Sequence, residues 1–218
     1  MSAGMSANQI DDTSFVVFGY VLVGGRSRRM GIDKSEILID GQTALTRQLD
    51  LIQKCASTAL VVGRSVESMG DPSEVLADRG GRQGPLDGIV TALHHANSAE
   101  MPTHSDHPVS RLALIVAVDL WNIQASDIKR LYEVFQSPLT SSVTDVAHLR
   151  SEDGSGDQPL CALWRVSESL RVMDQSFREG ERSVLRAWTG LRRRPVVVSE
   201  SVLANINSPE DLERWKAQ

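Results

Sequence analysis

The stretch Phe15-Val-Val-Phe-Gly-Tyr-Val-Leu-Val-Gly-Gly-Arg-Ser-Arg-Arg-Met-Gly-Ile-Asp-Lys34 decides how the rest of the chain is read. Residues 15–23 form a largely apolar run that ends in Gly24 and Gly25, which suits a buried strand entering a loop. Arg26, Arg28, Arg29 and Lys34 follow, offset only by Asp33, so the loop carries +3. Two glycines let the backbone approach an anion and present N–H groups to it. Arginine forks onto phosphate, and Lys34 adds a point charge. One such pair is worth about 4 kcal/mol at 4 Å and an effective dielectric near 20. Composition by itself leaves a solvated basic loop as an equal reading. Two phosphate motifs are excluded. Gly24 and Gly25 are adjacent, so there is no Gly-x-Gly-x-x-Gly, and Gly31 is followed by Ile-Asp-Lys rather than by Lys-Ser/Thr.

Outward from this loop, the chain has 218 residues, 41% of them apolar, and a net charge of 23 − 28 = −5. That is enough for one sizeable α/β core without disulfides or a structural metal. Nothing global points to nucleic acid or an anionic membrane, and an acidic protein that handles polyanions must concentrate its positive charge locally. Cys55 and Cys161 lie far apart in apolar stretches and read as buried, inert thiols. Residues 1–14 are polar, lack the features of a signal peptide, and read as a disordered leader ahead of a single domain over 15–218. No apolar run is long enough to span a bilayer. The expected compartment is the cytoplasm.

Apolar patterning predicts strands over 15–23, 58–63, 74–77, 111–118, 141–149, 161–164 and 195–198. It predicts helices over 45–55, 84–96, 125–135, 166–177 and 182–188, and a last one starting at Ser208-Pro209. Residues 98–110 and 151–157 read as loops. The alternation implies right-handed βαβ units and a mostly parallel sheet. In such a sheet the ligand sits beyond the carboxyl ends of the strands, where Gly24, Gly25 and Asp119 fall. Of the five histidines none has metal-ligand spacing, so surface residence is the expectation. Arg192, Arg193 and Arg194 read as a solvated basic run.

The loop also resembles a known signature. Residues 21–34 are similar to the Leu-Ala-Gly-Gly-x-Ser-x-Arg-Met-Gly-x-Asp-Lys pattern of the molybdenum cofactor guanylyltransferases, the MobA family, with Val23 in place of the usual alanine. Gly84-Pro-Leu-Asp-Gly88 and Ala204-Asn-Ile-Asn-Ser-Pro-Glu-Asp-Leu212 extend the resemblance along most of the chain. The resemblance implies a Rossmann-like nucleotidyltransferase fold, a three-layer α/β sandwich around a mainly parallel sheet. It implies transfer of GMP from GTP to the phosphate of molybdopterin or the molybdenum cofactor, with Mg²⁺ as cofactor and with transient contact to molybdoenzymes or their chaperones. Arg29, Lys34 and Asp119 are the implied catalytic residues. Leu22, Val23, Gly24, Gly25 and Asp78 would join Lys34 and Asp119 in holding the nucleotide.

Asp119 ends a buried strand and matches the metal-binding acid of the family; a turn-forming Asp is the plain alternative. A carboxylate there suits a hard cation bound to triphosphate oxygens. Asp78 would accept from the guanine edge, with an ordinary loop Asp as the alternative. Asn205 and Asn207 alternate along an extended segment, so they face one side and can meet the acceptor. Arg182 is a candidate for the acceptor phosphate, or a solvated arginine at a helix start. Three positions depart from the family pattern: Gly63 for an Asn, Leu120-Trp121 for an x-Pro segment, and Gln158 for a His. Trp121 is expected to reshape the pocket or weaken activity. Three other readings stay open: a CTP or other-acceptor transferase, a nucleotide-binding regulator with weakened catalysis, and an interaction domain without a nucleotide site.

Overall fold

In the computed structural model, residues 15–24, 33–63, 75–77, 84–101, 109–137, 139–154 and 156–204 are described. A seven-stranded sheet runs in the order β5-β4-β1-β6-β8-β7-β9. Its strands are β1 (Phe15–Leu22), β4 (Thr58–Val62), β5 (Val75–Leu76), β6 (Ser110–Ala117), β7 (Val146–Ser151), β8 (Asp157–Arg165) and β9 (Arg193–Val198). Only β8 opposes the common direction; it pairs antiparallel with β6 and β7. A small hairpin, β2 (Leu38–Ile39) and β3 (Gln42–Thr43), stands apart. Asp40 and Gly41 turn it, both with positive φ (50° and 82°), which is the requirement of a tight two-residue hairpin turn.

Strand alternation sorts β1 between two cores. Val17, Val21 and Val23 face a cluster with Leu45 and Ile52 of α1 (Ala44–Gln53) and Ile128, Leu131 and Phe135 of α3 (Ala125–Gln136). Phe18, Tyr20 and Leu22 face the other cluster, with Leu86, Ile89 and Leu93 of α2 (Pro85–Ser98), Met173 of α4 (Val166–Arg178) and Val184 of α5 (Val184–Ala187). The result is the expected three-layer α/β sandwich. A Cβ on Gly19 would come within 2.2 Å of Ile52 Cγ2 and 2.4 Å of the Thr58 carbonyl oxygen. The missing side chain is therefore what lets α1 and the start of β4 close onto β1.

Several sequence expectations change. The strand expected over 141–149 is a 3-10 turn over Ser141–Val143 followed by β7. The Thr144 hydroxyl donates to the Thr140 carbonyl at 2.7 Å, a local bond that competes with the ladder, while Asp145 accepts the Arg192 N–H at 2.8 Å, a tie to the residue before β9. β8 begins at Asp157, earlier than the apolar core at 161–164 suggests. Between the His148–Ala162 and Leu149–Gln158 pairs its register shifts. Pro159 sits in that break, where its missing N–H costs no regular rung. The last predicted helix lies outside the described residues, as does the leader. No helix among the described residues is long and apolar enough to cross a membrane.

Histidine placements change as well, whereas Arg192, Arg193 and Arg194 are all exposed, as a solvated basic run requires. His148 is fully buried, its ring 4.9 Å from that of Trp188. His94 and His95 are half-buried and engaged, His94 with Asp174 and His95 with the Tyr20 hydroxyl. Arg192 binds both Asp145 carboxylate oxygens, and the Arg193 guanidinium lies over the Trp188 ring. Alternation on β7, rather than general polarity, turns His148 inward. Cys161 is buried as expected, and burial pushes its thiol pKa up; Cys55 is only half-buried and also raised.

Candidate functional site

The chain leaves β1 toward β4 on one side, then crosses back through α2 to β6 on the other. The carboxyl end of β1 is thus the place where strand order reverses, which opens a crevice in sheets of this kind. The Val23 N–H donates to the Val62 carbonyl at 2.9 Å, and the Val118 N–H donates to the Leu22 carbonyl at 3.0 Å. These bonds hold the ends of β4, β1 and β6 level, with Leu22 and Val23 buried and Gly24 exposed at the lip. Gly24 has φ 153°, and among the described residues a Cβ there would meet only the Gly63 carbonyl oxygen, at 3.9 Å. Toward the described residues, the backbone at Gly24 is open.

Lys34 returns to this edge on a 3-10 turn, Lys34–Glu36. Asp33 caps the turn, accepting from the Ser35 N–H at 3.0 Å and the Ser35 hydroxyl at 2.7 Å. Buried Ser35 and Ile37 anchor it to the core. From there Lys34 Nζ reaches Asp119 Oδ2 at 2.9 Å, across 85 residues of sequence. The two side chains are 20% and 24% exposed. That is open enough for a ligand to intervene, and covered enough to strengthen the charge interaction over its value in water.

Asp119 stands in the turn after β6. Its neighbours are buried on both sides: Val118, then Leu120, Trp121 and Ile123. Trp121 is only 1% exposed and packs within the α1–α3 core. The turn directs its indole into that core while Asp119 is partly exposed. From α1, Gln48 Nε2 donates to the Leu120 carbonyl at 2.5 Å, and Arg47 Nε donates to the Trp121 carbonyl at 3.3 Å. Asn122 Nδ2 donates to the Ser201 carbonyl at 2.9 Å. That bond brings the chain leading to residue 204 beside the Asp119 turn.

Of the residues singled out in the sequence, Leu22, Val23, Gly24, Lys34 and Asp119 share this edge. Gly25, Arg29, Asp78, Asn205 and Asn207 lie outside the described residues. Arg182 sits between α4 and α5. It donates to the Phe177 and Glu181 carbonyls, and its guanidinium lies 4.6 Å from the centre of the Phe177 ring. Gly63 closes β4 with φ 101°, and its N–H donates to the Leu76 carbonyl at 3.3 Å. Gln158 accepts from the Leu160 N–H at 3.2 Å. Arg47 and Gln48 were missed in the sequence. The available signal was a polar residue on the buried stripe of α1, where Leu45, Gln48 and Ile52 recur at helical spacing.

Comparison with known proteins bears on the family and the fold. A probable molybdenum cofactor guanylyltransferase from Opitutus terrae is 30% identical over 96% of this chain and 97% of its own length. A molybdopterin-guanine dinucleotide biosynthesis protein A from Archaeoglobus fulgidus superposes with a TM-score of 0.70 at 20% identity, covering 90% of this chain and 95% of its own. A 2-C-methyl-D-erythritol 4-phosphate cytidylyltransferase from Francisella tularensis does so with a TM-score of 0.66 at 15% identity, covering 93% and 99%. The last two show the shared nucleotidyltransferase fold. Residues 19–196 match the MobA-like NTP transferase domain, and the chain therefore belongs to that family of nucleotidyltransferases.

Proposed function

We propose that this chain transfers GMP from GTP to the terminal phosphate of molybdopterin or its molybdenum-loaded form, releasing pyrophosphate. The observation that carries the reading is the Lys34–Asp119 contact of 2.9 Å at the carboxyl edge of β1. A cation for phosphate and an acid for a metal meet beside an open glycine backbone. The name borne by the Opitutus terrae relative supports the guanylyl group and the acceptor.

In the step, an acceptor phosphate oxygen forms a bond to the α-phosphorus of GTP. The bond from that phosphorus to the β-phosphate bridging oxygen breaks, and its electron pair leaves with pyrophosphate. The attacking phosphate is already ionised near neutral pH, so no protein base is needed. Catalysis is then alignment and charge stabilisation. Lys34 would exchange its bond to Asp119 for one to the triphosphate, while the backbone at Gly24 and Gly25 and the Arg29 side chain hold the remaining oxygens. Leu22 and Val23 form the floor. Asp78 would select the base, and Asn205, Asn207 and Arg182 would meet the acceptor.

The residues fit magnesium. Asp119 offers one hard carboxylate, and this ion takes one or two carboxylates together with substrate phosphates rather than an all-protein cage. Accordingly, the described residues contain no group of three or more His, Cys, Asp or Glu side chains that could hold a metal ion by themselves. When bound, Mg²⁺ supplies charge neutralisation at the phosphate oxygens. Asp119, released from Lys34, would hold it.

Pyrophosphate release with molybdopterin and each of GTP, CTP, ATP and UTP tests the proposal. GTP alone should support turnover, and Lys34→Ala should reduce it about a hundredfold or more. Equal turnover with CTP would overturn the guanine assignment, and no pyrophosphate from any nucleotide would overturn the transfer itself.

A further inference from the structure

The turn that carries Asp119 is gripped from behind by α1, and the grip has a chemical cost that packing does not explain. Gln48 is 1% exposed, and its Nε2 lies 2.5 Å from the Leu120 carbonyl oxygen. The amide cannot be turned round, because Oε1 would then face a carbonyl oxygen, acceptor against acceptor. With Nε2 so placed, Oε1 is buried and has no hydrogen-bond partner among the described residues. An unmade buried bond costs stability. A leucine or methionine would fill the same site on α1 without a stranded Oε1 but would leave the Leu120 carbonyl without this donor, so what the amide supplies is the bond to that carbonyl. Arg47, one residue earlier, makes the second bond, to the Trp121 carbonyl at 3.3 Å. The two carbonyls belong to the residues immediately following Asp119.

We infer that Gln48, seconded by Arg47, is a positioning residue: by fixing the Leu120 and Trp121 carbonyls it sets the direction in which the Asp119 carboxylate faces the cleft. The inference rests on the reading of Asp119 as the acid that holds the metal. Asp119 is held on its outer side by Lys34. Once phosphate draws Lys34 away, the α1 bonds still tie the Leu120 and Trp121 carbonyls, beside the Leu120 N–H bond to the Ala117 carbonyl and the Asn122 bond to Ser201. A carboxylate aimed correctly before the metal arrives binds it without first losing freedom, and partners that orient ligands in this way are commonly worth ten- to a hundredfold in metal affinity.

The test uses the full chain with GTP just sufficient to fill it, no acceptor, and Mn²⁺ as probe; free Mn²⁺ is read by electron paramagnetic resonance, and binding is the uptake beyond that of the same GTP without protein. Wild type should bind Mn²⁺, and Asp119→Asn should abolish that binding. Gln48→Met keeps the length and apolar bulk but removes the donor. It should weaken Mn²⁺ binding about tenfold and leave metal-free GTP affinity within about twofold. Arg47→Met should act in the same direction and more weakly. Gln48→Glu guards against a variant that fails to fold. A buried carboxyl tends to stay protonated and can then donate the same bond. Its Mn²⁺ affinity relative to wild type should therefore be near normal at low pH and fall as pH rises. Unchanged Mn²⁺ affinity in Gln48→Met, or a Gln48→Glu ratio that ignores pH, would overturn the positioning role while leaving Asp119 as the metal residue. Wild-type Mn²⁺ binding that survives Asp119→Asn would overturn the metal assignment and the inference with it.

Discussion

At the scale of single residues, the Lys34–Asp119 pair is both a resting contact and an obstacle. Each charge holds the other in place at 2.9 Å, yet each must leave the other for the chemistry proposed. Removing the carboxylate removes the competitor. Asp119→Asn should therefore bind metal-free GTP at least as tightly as wild type while losing the metal-dependent gain, as calorimetric titration with and without Mg²⁺ would show; weaker metal-free binding would contradict this. Its effect on stability should be small, on the order of 1 kcal/mol or less, because a partly exposed pair contributes little net energy. Lys34 and Asp119 were legible in the sequence because each stands in a distinctive local context, a basic loop and the end of an apolar strand. Their bond was not, because the two are 85 residues apart and only the parallel pairing of β1 with β6 brings them level.

At the scale of elements, the fold depends on close approach of α1 to β1. Gly19→Ala should destabilise the protein by roughly 3 kcal/mol or more, because the added methyl meets backbone as well as a side chain, and overpacking of this kind forces shifts of whole elements. Denaturant unfolding of the variant would check it; a loss under about 1 kcal/mol would contradict the packing described. Most strands and helices were legible from apolar runs and helical spacing. The misread segment, 141–149, fails for a physical reason. The Thr144 hydroxyl there bonds the Thr140 carbonyl, and the partner that fixes Asp145 is Arg192, 47 residues on. The burial of Trp121 was not legible, because it depends on the path of the turn, which residue type does not reveal.

For the whole molecule, buried ionisable groups set the pH range of stability. Burial lowers the pKa of His148, whose Nε2 lies 2.9 Å from Asp157 Oδ1 but off the line a good hydrogen bond requires, and burial likewise lowers that of His95. A histidine with a lowered folded pKa takes its proton more readily when unfolded. Its contribution is complete above the unfolded value, about 6.5, and is lost as pH falls from there toward the folded value. Burial opposes ionisation of Asp145 and Asp157, yet the bonds from Arg192 to the first, and the bond from Arg150 with the nearby His148 ring to the second, outweigh it and lower both pKa values. Their contribution is complete above about pH 4 and is lost as pH falls through the depressed folded values. The unfolding midpoint should thus fall by a few degrees between pH 7.5 and 5 and drop further in stronger acid. His148→Phe keeps a ring against Trp188 and should flatten the first step; an unchanged slope would show that His148 does not contribute to it.

The sheet order, the layers and the cleft are built around an apolar β1 ending in glycine, and the family match spans residues 19–196. What joins fold to function is one cleft shared by a lysine and an acid. Titration of GTP with Mg²⁺ onto wild type, Lys34→Ala and Asp119→Asn tests that most directly. Binding should weaken about tenfold or more in Lys34→Ala, and its magnesium dependence should vanish in Asp119→Asn. Wild-type affinity and wild-type magnesium dependence in both variants would contradict the site.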